Sequence, residues 1–409
     1  MNAEWTLNLL DPEFRRDPYP TLARLRAEDP VHRTRWGAWA VTRYDDVMQI
    51  LRDKRMSRDM RNWSGFERKG TWKEHPELAH FASLYMMNTD PPNHGRLRGL
   101  MAHAFTPASV RAMRGVVESI ADGLIAELRD GEPFELMSAF ALPLPLAVIG
   151  RLFDFPYEDC PKLRRWSAAF APFVEMTVTK AQKDEMRAAV QEFFGYLKYR
   201  IAAHRRNPGE GLVDRLLAVS AGADAGAGAE EKLSEDELLM NVAGMFFAGH
   251  ETTANSIGNG LHALLRAPSE LLRLRAHPEW VPNAVQEFLR FDGSSNIVIR
   301  VAMEGFELRG KPIAKGDVVM CMLGAANRDP AQFDDPDRLD VTRTGVQHAT
   351  YGGGRHFCIG AQLANMELEV AFERLLKRFP RLEVDSLQVE WLDRVNLRGL
   401  NRFVMTGWG

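Results

Sequence analysis

Cys358 lies in the decapeptide Tyr351-Gly352-Gly353-Gly354-Arg355-His356-Phe357-Cys358-Ile359-Gly360, directly before a helical run that starts near Ala361. A thiolate at such a position receives backbone N–H groups and the positive end of a helix dipole, which keep a sulfur anionic without a neighbouring base. Three readings compete for the stretch. A glycine run before a helix can cradle a phosphate, although no Gly-Lys-Ser/Thr follows and dinucleotide-binding spacing is absent. A buried loop cysteine is the plain alternative, and it leaves the three glycines and His356 without a reason. The third is a single soft ligand for a metal already held on its other sides, as haem iron is.

A second cluster is Ala248-Gly249-His250-Glu251-Thr252-Thr253. Small residues at Ala248 and Gly249 let another group approach the backbone. Thr252 lies four positions after Ala248 on the same helix face, where a threonine hydroxyl can bond back to the earlier carbonyl and bend the helix. A hydroxyl beside a carboxylate can hold water and pass protons to a reacting group. The competing reading is a helix end or a solvated acidic patch. Glu287 and Arg290, three apart in a helix that Pro282 can start, share a face and can pair. So can His94 and Arg98, four apart. His103, His250 and His356 form no metal-ligand spacing with them, so a zinc or non-haem iron site is not expected.

These side chains need elements to position them. Most of the chain has helical periodicity. The longest candidate opens with Ser234 and Glu237 as a capping box, has Glu235 and Asp236 at its positive end, and is bounded by Pro268 after Arg266. Its length is about 33 residues and its reach about 50 Å, so it must run through the body of a globular domain. Its middle, with Gly244, Ala248, Gly249, Glu251 and Thr252, is small and polar where a core-filling helix would carry bulk. Short strands are expected around residues 36–42, 306–311, 318–322 and 403–406. The Ala/Gly run at 221–229 reads as a surface loop.

The chain has 409 residues, 45% of them apolar, and a net charge of −3. That suits one large domain, taken as spanning 1–409. The balanced charge excludes a nucleic-acid binder of the basic kind. Only Cys160, Cys321 and Cys358 are present, which argues against a disulfide framework and for a reducing compartment. Residues 1–6 show no basic n-region or apolar core. The apolar stretch 238–249 is interrupted by Asn241 and is shorter than the roughly 20 residues a bilayer requires. A cytoplasmic protein without membrane segments is expected.

The decapeptide resembles the haem-binding signature of the cytochrome P-450 superfamily, aromatic-Gly-x-Gly-x-His-x-Cys-x-Gly. Residues 248–253 resemble that family's oxygen-activation motif, Ala-Gly-x-Asp/Glu-Thr-Thr, and Glu287-x-x-Arg290 falls between the two as in the family. The resemblance runs from Asp11-Pro12 to the carboxy-terminal strands. It implies a mainly α fold with a small β-sheet subdomain, a triangular prism around the long central helix, and a monooxygenase with haem b. It implies Cys358 as the metal ligand, with Tyr351, Gly352, His356, Gly360 and Ala248 against the cofactor. His94, Arg98, Arg300 and His348 would partner the two propionates. Glu251 and Thr252 would be catalytic, Thr252 hydrogen-bonding the bound dioxygen and Glu251 relaying protons. Arg338 would join Glu287 and Arg290 in a buried network that fixes geometry more than it adds stability. Two positions depart from the family pattern: Tyr351 stands where Phe is usual, and Asn365 where Arg is common.

The resemblance also implies partners. With no flavin or iron–sulfur domain visible, electrons would come from NAD(P)H through a reductase and a ferredoxin, or a flavodoxin, docking near Arg355. A monomer is expected. Family spacing places a small-molecule substrate against Gly244, Phe247, Asn296 and Leu397, and against the loop 62–85 with Trp63, Phe66, Trp72, Phe81 and Tyr85. The polar run Gly293-Ser294-Ser295-Asn296 hints at an oxygen-bearing substrate, and the expected reaction is hydroxylation or epoxidation of a polyketide, peptide or terpenoid intermediate. Two rivals are a peroxide-driven haem-thiolate enzyme, against which the Glu251-Thr252 pair argues, and a non-catalytic haem sensor, which would need a signalling module.

Overall fold

The structure is a computed structural model that describes residues 7–66, 75–175, 178–209, 211–221 and 232–409. Residues 1–6, Trp72 and most of the Ala/Gly run at 221–229 lie outside the described residues. The chain forms two compact units, one of residues 1–67, 121–142 and 252–409, the other of 68–120 and 143–251. The helix Glu235–Leu265 contributes to both, changing unit between Glu251 and Thr252.

Among the described residues, every strand belongs to the first unit. Its five-stranded sheet runs in the order Val31–Arg33, Trp39–Val41, Val318–Met322, Ile297–Ala302, Met56–Ser57. Trp39–Val41 pairs parallel with Val318–Met322, and the other pairings are antiparallel. The runs Ile297-Val298-Ile299 and Val318-Val319 are β-branched, which suits a pleated, half-buried surface. Val41, Val47, Ile50, Val319 and Cys321 are wholly enclosed beneath it. A second sheet orders Pro133–Glu135, Leu400–Trp408 and Arg381–Trp391. The strand expected at 306–311 is a hairpin instead, Phe306–Leu308 against Lys311–Ile313. Arg309 and Gly310 both take positive φ, 47° and 74°, as a tight two-residue turn between right-twisted strands requires.

The expected long helix is present as Glu235–Leu265, 31 residues. The Ser234 hydroxyl accepts the Glu237 N–H at 3.1 Å, and the Glu237 carboxylate accepts the Ser234 N–H at 2.9 Å. The next helix opens at Pro268. In the first unit, Gly260 lets the helices Val281–Asp292 and Ala361–Arg378 come close. A Cβ there would lie 2.8 Å from Phe372 and 3.2 Å from Phe288, whose rings meet at 4.6 Å. The long helix is thereby held against the helix that follows Cys358.

The described secondary-structure elements of the second unit are all helices. Asn241, which interrupts the apolar stretch, is fully buried and binds a neighbouring segment. Its Nδ2 donates to Leu84 O at 3.0 Å and its Oδ1 accepts the Met86 N–H at 2.9 Å. No helix among the described residues is long and apolar enough to cross a membrane.

Candidate functional site

The Cys358 loop lies on the helix Tyr44–Arg52. Gly352 and Gly354 take φ of 72° and 63°. A Cβ on Gly354 would stand 2.5 Å from Leu51 O and 3.0 Å from Arg52 Cα, so backbone meets backbone and only glycine fits. The loop uses its own N–H groups. Gly352 donates to Ala349 O at 2.7 Å, Phe357 to Gly354 O at 3.1 Å, and Cys358 to Tyr351 O at 3.0 Å. Donors engaged in this way count against a phosphate cradle. The enclosed-thiol reading fits another residue, Cys321, which is fully buried with its thiol pushed up to about 12 by that burial. Cys358 is outside any disulfide and only half-buried, beside an exposed Phe357, two residues before the Gly360 cap of the helix Ala361–Arg378. Among the described residues, no group of three or more His, Cys, Asp or Glu could hold a metal ion. A single partly accessible cysteine sulfur is the donor set of a metal whose other bonds come from a macrocycle, so the residues present fit haem.

The loop is tied to the Glu-x-x-Arg helix by continuous hydrogen bonds. Glu287 and Arg290 have fully buried side chains and pair at 2.7 and 2.8 Å. Arg290 also donates to the carbonyls of Asn327 and Pro336 at 2.9 and 2.8 Å. The Asn327 side chain accepts the Ala349 N–H at 2.6 Å and donates to Thr350 Oγ1 at 2.8 Å. Thr350 in turn donates to Leu289 O at 2.6 Å. The third arginine is Arg343, whose Nε lies 3.2 Å from the Glu287 carboxylate, and not Arg338 as expected. Arg338 sits in a turn where its N–H bonds Asp335 O; its half-exposed guanidinium pairs with Asp335 and Asp340, and only its carbonyl reaches Arg290.

His348 Nδ1 accepts the Thr350 N–H at 3.2 Å and its Nε2 faces Gln286 Oε1 at 3.3 Å. Burial, then the Arg290 cation, holds its imidazole down at about 4. Both ring nitrogens are thus engaged within the fold. Arg300 is buried on the strand Ile297–Ala302, with Nη1 donating to Ile299 O at 3.0 Å. Within the polar run 293–296, the Ser294 hydroxyl is buried and bonds Ser256 Oγ at 3.1 Å, and Asn296 packs its amide against Gly324. The Ser295 backbone bridges to Leu397.

In the second unit, His94 is buried and Arg98 half-buried, one turn apart on the helix Asn93–Ala104. Along the long helix, residues 237–247 and 253–261 are buried, apart from one short window. There Ala248 is exposed and Gly249, Glu251 and Thr252 are half-buried. His250 turns inward, with Nδ1 2.9 Å from Ser167 Oγ. What approaches Gly249 is Ile149, whose Cδ1 would be 3.0 Å from a Cβ. Gly244 is covered by Tyr85: a Cβ would fall 2.2 Å from its ring, and its hydroxyl donates to Gly244 O at 3.1 Å. Phe247 is stacked on Phe170 at 4.0 Å within a cluster that includes Phe81, Phe173 and Phe193. Phe81 and Tyr85 are therefore part of the loop core. Asn327, Thr350 and Arg343 escaped sequence reasoning, because nothing local marks them.

The family model for cytochrome P450 matches residues 163–394. The polyketide biosynthesis cytochrome P450 PksS of Bacillus subtilis (strain 168) is 36% identical over 95% of this chain and 95% of its own. The cytochrome P450 monooxygenase PikC of Streptomyces venezuelae is 38% identical over 96% of this chain and 92% of its own. The solved structure of P450BioI, in complex with a hexadec-9Z-enoic acid ligated acyl carrier protein, superposes with a TM-score of 0.89 at 30% identity, covering 97% of this chain and all of that one. The chain belongs to the cytochrome P450 family. It has that family's mainly helical fold with small sheets, it is an oxidoreductase of the monooxygenase class, and the family implies a haem cofactor.

Proposed function

We propose that the chain acts as one domain, 1–409, that uses haem b to insert one atom of dioxygen into an apolar small molecule, a polyketide-type intermediate of secondary metabolism. The observation that carries the reading is Cys358, a half-buried cysteine outside any disulfide, on a turn only glycine can make, with no other protein ligand set among the described residues. In this reading Cys358 ligates the iron, and His94, Arg98, Arg300 and His356 pair with the propionates. Tyr351, Gly352, Gly360 and Ala248 lie against the macrocycle.

When bound, haem supplies the electron-transfer and dioxygen chemistry. The chain supplies position and protons. The Thr252 hydroxyl holds a proton at the uncovered stretch of helix, and the adjacent Glu251 carboxyl takes it up from solvent and passes it on. NAD(P)H delivers electrons through a reductase and a ferredoxin. The similarity to PksS and the aromatic surroundings of Phe247 support an apolar, polyketide-like substrate.

A reduced, carbon monoxide-bound difference spectrum tests the reading. The wild type should show the thiolate-haem band and Cys358→Ala should lose it; a wild type without the band ends the proposal. Thr252→Ala should keep the band while diverting reducing equivalents to peroxide or water. Unchanged coupling of NAD(P)H use to product would remove Thr252 from its role. Turnover should require ferredoxin and reductase, and turnover with peroxide alone would favour the peroxide-driven rival.

A further inference from the structure

The two positions at which this chain departs from the family pattern are bonded to each other. Tyr351, seven residues before Cys358, donates its phenol to Oδ1 of Asn365, seven residues after it, at 2.6 Å. The carbonyl of the same Tyr351 accepts the Cys358 N–H at 3.0 Å. One residue thus grips the sulfur-bearing loop by its main chain and, by its side chain, the helix Ala361–Arg378 that carries Asn365. The ring is enclosed by His348 at 5.1 Å and by Phe357 at 6.2 Å, edge-on.

The chemistry of the two departures makes sense only jointly. A phenylalanine at 351 has no donor for Asn365, and an arginine at 365 has donors but no acceptor for a phenol. Either departure alone would leave a shielded polar group without its partner.

We propose that Tyr351 and Asn365 are a clasp, a pair of positioning residues that closes the Cys358 loop onto the following helix and sets how firmly the thiolate ligand is held. The clasp rests on the reading of Cys358 as the haem ligand. Its test is a double-mutant cycle of Tyr351→Phe, Asn365→Ala and the pair together on the haem-loaded protein. The readouts are the rate of haem transfer to excess apomyoglobin and the ferric–ferrous midpoint potential. Loss of one hydrogen bond should speed haem transfer roughly fivefold in each single variant and shift the potential in the same sense. The double variant should go no further than either single. Asn365→Asp keeps an acceptor and should hold haem as the wild type does, which guards against an Asn365→Ala that fails to fold. Independent, multiplying effects would overturn the clasp. So would a fall in melting temperature with haem transfer and potential unchanged. Both outcomes presuppose a wild type with the thiolate-haem band; absence of that band would instead overturn the reading of Cys358.

Discussion

The surroundings of Cys358 and those of Phe247 are held by different forces. Around Cys358 the contacts are directional: Glu287 to Arg290, Arg290 to Asn327, Asn327 to Thr350, and Tyr351 to both Cys358 and Asn365. Each fixes an angle as well as a distance, and most are shielded from water, where an unmet partner is costly. Around Phe247 the contacts are ring on ring, with Phe170, Phe193 and Phe246 at centroid separations of 4.0 to 5.5 Å. Such packing is strong in sum but tolerates exchange of one apolar shape for another. One region cannot drift without breaking shielded hydrogen bonds, whereas the other can exchange one apolar shape for another.

The contrast is broken most forcefully at Arg290. Arg290→Ala removes the fully buried cation nearest Glu287, leaving Arg343 as its remaining guanidinium, and leaves the carbonyls of Asn327 and Pro336 unmet. The expected cost is about 3–5 kcal/mol, read as a shift in denaturant midpoint at constant slope. Arg338→Ala, whose guanidinium is half-exposed and touches only Asp335 and Asp340, should cost under about 1 kcal/mol. If the two variants unfold together, the network does not run through Arg290 as described. Gly244→Ala probes the other region by volume. The added methyl would meet the Tyr85 ring at 2.2 Å, and overpacking of this kind costs about 1–3 kcal/mol. Adding Tyr85→Leu should restore much of the loss, because the clash is with that ring alone. A double variant no more stable than Gly244→Ala would show that the strain lies elsewhere.

What was legible in sequence follows the same division. The Cys358 turn, the capping box of Ser234 and Glu237 and the stop before Pro268 are local rules, and the structure has all of them. The Glu287–Arg290 pair was legible for the same reason, being three residues apart on one helix. Its third member was not. Arg338 and Arg343 are equivalent as residue types, and a turn in which Asp335 takes a positive φ of 44° decides which guanidinium faces inward. The Tyr351–Asn365 bond joins two residues that sequence marks as unusual but cannot bring together, since it needs both the loop and the helix. Tyr85 reaches Gly244 across 159 residues, with no local sign of the contact. The strand Arg381–Trp391 also went unexpected. Arg381, Glu383 and Asp385 are exposed and alternate with Leu382 and Val384, which are only half-buried, so its apolar face is thin.

The smallest effect separates the two regions by pH. His348 belongs to the directional region, and the rings around Phe247 do not titrate there. An imidazole held at about 4 in the fold, against 6.5 when free, takes up its proton more readily once the chain unfolds. Its contribution to stability is therefore whole above about pH 6.5 and declines as pH falls towards 4, because protonation is linked to unfolding. The loss at pH 6 is under about 1 kcal/mol for one such group, less where solvent screens it. His348→Gln keeps a polar side chain without the titration, so its denaturant midpoint should change less than that of the wild type between pH 6.5 and 4.5. Gly244→Ala, placed in the apolar region, should lower the midpoint by the same amount at every pH in that window. Parallel curves for the wild type and His348→Gln would mean that the ring binds its proton equally well in the folded and unfolded chain, so that burial against Arg290 does not hold it down.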